Sequence, residues 1–226
     1  STREASDGEH EVATGHRGDA VTQLREVKQT GTEISRIIDI FGILSQLSKE
    51  EIPSVLAYAT RLAGEQKQER EIILFGAVAR WAQFHPSAAG EWTRSQASII
   101  KGKSDELLEM ALSEWTARDA VTARAWIDQL TDDQKAGALR GYLGALAIRD
   151  PMAALHEMER LPEAVRDDRV YRALFRAWSS KDPRGAAQAA ASLSVADAKT
   201  RSRTLGDVVQ IWGQQAPREA LAWALQ

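Results

Sequence analysis

The chain of 226 residues contains no cysteine, which excludes a disulfide framework and any thiolate metal site. It is compatible with either redox compartment. No apolar run approaches the roughly 18 residues of a membrane span, so insertion into a bilayer is not expected. Nothing in the sequence alternates apolar and polar residues as a half-buried strand does. G-x-x-x-x-G-K-S/T, G-x-G-x-x-G and G-x-S-x-G are all missing, and with them the phosphate-cradling loop, the dinucleotide fingerprint and the nucleophile elbow. Positive charge is not in excess either: 29 Lys/Arg stand against 32 Asp/Glu, a formal net charge of −3 with a pI near 5.9. That balance argues against wholesale attraction to nucleic acid or anionic lipid.

What is present is a 43% apolar fraction, enough for a continuous core, beside a 27% charged fraction typical of a hydrated surface. Residues 1 to about 30 are short of large apolar side chains and acidic, with four Lys/Arg against seven Asp/Glu through Glu33. So little apolar surface does not offset the entropy of ordering, and the segment 1–30 reads as flexible. Val21, Leu24 and Val27 within it have the spacing of a short amphipathic helix. The packed region is expected to begin near Ile34 and to run as one domain over 31–226.

That region repeats itself with a period of about 33 residues. One column reads Pro86, Ala120, Pro151, Pro183 and Pro217, spaced by 34, 31, 32 and 34 residues. Five positions earlier stand Trp81, Trp115, Leu146, Trp178 and Trp212. Three positions after the proline column there is always alanine: Ala89, Ala123, Ala154, Ala186 and Ala220. Six positions after it come Trp92, Trp126, Glu157, Ala189 and Trp223. Upstream of the first tryptophan column, offsets of three, four and seven residues are apolar, which is the stripe of an amphipathic helix. Aspartate before proline caps the free amides of a following helix, and proline in its first turn needs no amide partner. Each unit is therefore a helix, a tight turn and a second helix. The invariant alanine lets the two helices approach closely, and the second tryptophan covers the neighbouring hairpin. One such hairpin cannot bury its stripe alone, whereas a stack can. A degenerate earlier copy around Ile40, Leu44 and Pro53 brings the expected number of hairpins to about six.

The unit resembles the tetratricopeptide-like class of helix–turn–helix repeats, and is most similar to W-A-x-x-D-P-x-A-A-x-x-W arrays of bacterial proteins that are often exported. The likeness spans roughly residues 70 to 226. It departs from the strict tetratricopeptide pattern in placing its aromatic at the end of the first helix, in lacking the glycine of that helix and in a period that varies from 31 to 34. The resemblance implies an all-α fold, a right-handed superhelical stack of helical hairpins (an α-solenoid), and favours a periplasmic or exported location over a cytoplasmic one.

Chemistry-bearing residues are absorbed by this frame. Asp119, Asp150 and Asp182 occupy the capping column. His85 stands in the same column, and His156 beside Glu157 lacks the spacing of a metal site. Most tryptophans fall in the two repeat columns and read as core, with Trp223 the one expected to be exposed. Gly137, Gly141 and Gly144 lie on one helix with the spacing of a close helix contact. Charge carries the functional expectation: between Arg166 and Arg203 nine Lys/Arg meet four Asp, an excess of five positive charges inside an acidic chain. Arg140, Arg172 and Arg176 share one face of successive first helices, with Arg169 and Arg203 flanking them. The expected function is a non-enzymatic scaffold that binds a protein or acidic peptide along its concave face, without a cofactor. The alternative is a superhelical accessory domain of a larger exported enzyme acting on the cell wall. Finally, Leu221, Trp223 and Leu225 have no following repeat to cover them. A chain that naturally continues, or a homodimer through this end, is expected.

Overall fold

A computed structural model describes residues 19–27, 31–62, 67–100, 102–194 and 196–225. Every regular element among the described residues is a helix, with no strand. The flexibility expected of residues 1–30 falls largely outside the described residues. Within that stretch the anticipated short helix is present as α1 (Ala20–Val27), with Ala20 and Leu24 buried. Packing thus starts upstream of Ile34.

Twelve further α-helices follow among the described residues. They are α2 (Glu33–Ser45), α3 (Ile52–Arg61), α4 (Lys67–Phe84), α5 (Pro86–Ser95), α6 (Ser104–Arg118), α7 (Ala120–Ile127), α8 (Asp132–Arg149), α9 (Pro151–Arg160), α10 (Asp168–Ser179), α11 (Pro183–Ala191), α12 (Ala198–Gln215) and α13 (Pro217–Ala224). A 3₁₀ turn at Glu163–Val165 lies between α9 and α10 and packs on α8. The proline column coincides with the first residue of α5, α7, α9, α11 and α13.

The turn before each of these helices has one geometry. His85, Asp119, Asp150, Asp182 and Ala216 all have φ between −140° and −149° and ψ between 74° and 88°. Each donates its N–H to the carbonyl of the tryptophan column four residues back, over 2.7–2.9 Å. Each accepts from the amide of the invariant alanine four residues on, at 3.1 Å. The aspartates add a side-chain cap: Asp119 Oδ1 accepts from the amides of Val121 and Thr122, Asp150 Oδ1 from Ala153 and Asp182 Oδ1 from Gly185. His85 and Ala216 make the same turn without a side-chain bond.

Packing follows chain order. The first helices form a row in which α2 meets α4, α4 meets α6, α6 meets α8, α8 meets α10 and α10 meets α12. Each second helix also packs on the first helix that follows it: α3 on α4, α5 on α6, α7 on α8, α9 on α10 and α11 on α12. One continuous apolar core runs from Ala20 to Ala220. All five invariant alanines are buried in it, as are Leu130, Leu161 and Leu193 at the ends of second helices. Trp115, Trp178 and Trp212 are buried, whereas Trp81, Trp92, Trp126 and Trp223 are half-buried. Trp126 covers the neighbouring hairpin as expected, its ring 3.5 Å from where a Cβ on Gly90 of α5 would stand. Trp223 is not the exposed residue of the last hairpin: its ring lies 5.9 Å from that of Trp212, and Leu221 and Leu225 are exposed instead.

Candidate functional site

Ion pairs join successive first helices along one flank of the row. Arg36 pairs with Glu69 at 3.5 Å, Glu71 with Lys103 at 3.6 Å, and Arg140 with both Asp105 at 3.6 Å and Glu109 at 2.8 Å. Arg172 pairs with Asp207 at 3.1 Å, and Arg203 with Asp168, which also accepts from the Thr200 hydroxyl at 3.0 Å. Sequence separations of 31 to 35 residues mark these as contacts between neighbouring repeats. The exception is the α8–α10 junction, where no ion pair is found among the described residues. The position ten residues before the tryptophan column is acidic at Glu71, Asp105 and Asp168, but is Ala136 on α8.

The five arginines singled out by the sequence therefore do not form one surface. Arg140 is buried between α6 and α8, its side chain 7% exposed, with Nε and Nη2 held by carboxylates and Nη1 without a partner among the described residues. Its burial has a cause the sequence hinted at. A Cβ on Gly137 would stand 2.5 Å from the Asp105 carbonyl oxygen, and one on Gly141 2.1 Å from that of Glu109. Only glycine lets α8 come this close to α6, and the Arg140 stem fills the margin of that contact. Arg169 is exposed and lines a cavity of about 440 Å³ together with Arg140, Asp105, Glu106 and Glu109. Arg203 is tied to Asp168.

Arg172 and Arg176 are brought together. Four residues apart on α10, they share one helix face and form one wall of a groove of about 320 Å³ whose other wall is α12. Phe175 and Val208 make its floor, and Thr204, Asp207, Gln210 and Gln214 offer polar groups along its edge. Arg172 keeps one acid partner across the groove, Asp207. Arg176 is exposed and makes no ion pair among the described residues. Gln210 lies in the column two residues before the tryptophans, the same column as Arg176, whereas Thr204 and Gln214 lie outside the two columns that the sequence reading follows.

No family model, curated protein or solved structure matches this chain. The remaining candidates are structural. Glu157, next to His156, accepts from Arg124 Nε at 3.2 Å and so ties α9 to α7. Asp119 holds its carboxyl below the usual aspartate range because the Thr122 amide, then the Thr122 hydroxyl, bond to the ionised form. No helix among the described residues is long and apolar enough to cross a membrane.

Proposed function

We propose that the chain is a right-handed superhelical stack of about six helical hairpins, an α-solenoid of tetratricopeptide-like kind. It serves as a non-enzymatic scaffold that holds a protein through an acidic peptide segment laid along its first helices. Support for the stack comes from packing in strict chain order, in which each helix meets only near neighbours in sequence. Support for the ligand comes from one observation above the others: Arg176, exposed and outside any ion pair, lines the groove beside half-paired Arg172. A guanidinium takes a carboxylate by two parallel hydrogen bonds, and the amides of Gln210 and Gln214 suit a peptide backbone. The groove runs between two neighbouring first helices, α10 and α12, which fits an extended ligand.

The test is fluorescence anisotropy with a labelled glutamate-rich peptide across a salt series. Binding should weaken as salt rises, and Arg172→Ala with Arg176→Ala should lower affinity and flatten the salt dependence while helicity stays unchanged. Equal affinity in the double variant removes the groove from the reading. The stack is tested by small-angle scattering, which should give a radius of gyration above the roughly 17 Å of a compact chain of this length.

A further inference from the structure

Nine residues before the tryptophan column the repeat carries opposite charges on first helices two places apart. The positions are Glu106 on α6, Gly137 on α8, Arg169 on α10 and Arg203 on α12. Arg203 is held by Asp168, which stands one residue further from the tryptophans on the helix before it. Arg169 has the same place on α10, but the matching position on α8 is Ala136. Arg169 is exposed and makes no ion pair among the described residues. Glu106 is likewise exposed and outside any ion pair among them. Gly137 stands between the two in the row and offers no side chain to either. The repeat thus leaves one cation without its acid and one acid without a cation.

Both residues line the cavity of about 440 Å³ that draws on α6, α8 and α10 together. That volume lies within the roughly 300–1,000 Å³ of small-ligand sites. Two helix spacings of about 8–10 Å each separate α6 from α10, so Glu106 and Arg169 border one space without pairing with each other. The wall between them is Arg140, more than nine-tenths buried, whose Nη1 has no hydrogen-bond partner among the described residues. A buried N–H without an acceptor is costly, and an acceptor brought into the cavity relieves it. On the α6 side Asp105 and Glu109 share the single guanidinium of Arg140. With Glu106 they leave that wall negative, whereas Arg169 makes the α10 wall positive. The cavity is therefore bipolar, with an unused acceptor at one end and unused donors at the other.

We propose that this cavity binds a short zwitterionic peptide of dipeptide size. Its ammonium group lies at Glu106, beside Asp105 and Glu109, and its carboxylate lies at Arg169 and the free Nη1 of Arg140. The ligand carboxylate takes the place of the acid that Ala136 fails to supply, and a guanidinium holds it by two parallel hydrogen bonds. At about 3.3–3.6 Å per residue a dipeptide sets its two charges roughly 7 Å apart, so it reaches both walls, whereas a free amino acid carries both charges on one carbon. The site is separate from the α10–α12 groove, which Arg169 does not line. The inference does not rest on acidic-peptide binding there.

The test is an NMR titration of the whole nitrogen-labelled chain with alanylalanine, its N-acetyl form and its C-terminal amide. Alanylalanine should shift the amide signals around Glu106, Gly137 and Arg169 to saturation. Each blocked form should bind about tenfold more weakly or worse, as expected for loss of one charge-assisted contact. Arg169→Gln should bring alanylalanine down to the level of its amide and leave the amide itself unaffected. Glu106→Gln should act in the same way toward the N-acetyl form. Both positions are exposed, so helicity should not change. Ala136→Asp supplies the missing acid to Arg169 and should weaken alanylalanine as Arg169→Gln does. Arg172→Ala with Arg176→Ala should leave alanylalanine binding intact, whatever that pair does to an acidic peptide. No saturable shift at millimolar ligand, blocked forms that bind as well as the parent, shifts confined to the α10–α12 groove, or full affinity in Arg169→Gln would each overturn the proposal.

Discussion

The α6–α8 and α10–α12 junctions are built from equivalent positions of the same repeat, yet one is closed and the other open. At α6–α8, Gly137 and Gly141 bring the backbones together, and Arg140 is sealed into the seam with two carboxylates. At α10–α12, position five before the tryptophan column is Asp207 rather than glycine. The helices stand further apart there, and Arg172 and Arg176 border a groove. The glycines of α8 thus seal Arg140 into the seam with α6, whereas Arg172 and Arg176 border an open groove. A charge pattern read along one dimension does not carry that distinction.

Glycine substitutions probe the contrast most strongly. Gly141→Ala should lose about 1–3 kcal/mol of stability, because its Cβ meets the Glu109 backbone rather than a movable side chain. Gly206→Ala on α12 meets open space and should gain about 0.5–1 kcal/mol through helix propensity alone. Urea denaturation of both variants checks this. Equal effects would mean that Gly141 is not held against the α6 backbone.

Arginine replacements follow with smaller effects. Arg140→Ala leaves Asp105 and Glu109 without their cation, but both carboxylates are over a third exposed and regain water. The loss should therefore be about 1–2 kcal/mol, below the figure for a fully buried pair. Arg176→Ala should change stability by less than about 0.5 kcal/mol and act on peptide affinity alone. A calorimetric scan beside the anisotropy series separates the two. If Arg140→Ala is as silent in stability as Arg176→Ala, its carboxylate partners do not hold it.

The helices were largely legible from four columns of residues. Proline, alanine and tryptophan spacings locate helix starts, because each of these residues has a local reason for its place: a missing amide, a close approach, a large apolar body. The column one residue after the tryptophans (Ala82, Thr116, Ala147 and Ser179), small and buried, was legible too but was overlooked for want of a shared residue type. The first pair was less so. Its link, residues 46–51 with Leu47 turned into the core, is longer than the one-residue turns that follow most first helices, since no tryptophan–proline spacing sets it. The site was half legible. Offsets of six and two correctly put Arg172 and Arg176 on one face, but Arg140, in the same column, is buried by glycines on its own helix and pairs backwards to α6.

The smallest effect concerns the turns, where the contrast is between Asp119, Asp150 or Asp182 and the uncapped Ala216. All four share one backbone geometry and the same two main-chain bonds, so the aspartate side chain is an addition to the turn and not its cause. Ala216→Asp should accordingly leave the fold unchanged and stabilise α13 by about 1 kcal/mol, the usual worth of such a cap. The gain should carry a pH signature. In Asp119 the bonds from Thr122 lower the folded carboxyl pKa, and a group lowered on folding contributes above its unfolded value, about 3.9 for aspartate. The added stability should therefore be whole at neutral pH and disappear as pH falls through the lower folded value. Amide exchange in α13, compared between the variant and the wild-type chain at neutral and acid pH, reads both parts. Slower exchange at neutral pH that persists in acid would mean that the introduced side chain acts by some route other than an ionised cap. No slowing at all would mean that the turn at Ala216 is not equivalent to those at the aspartates.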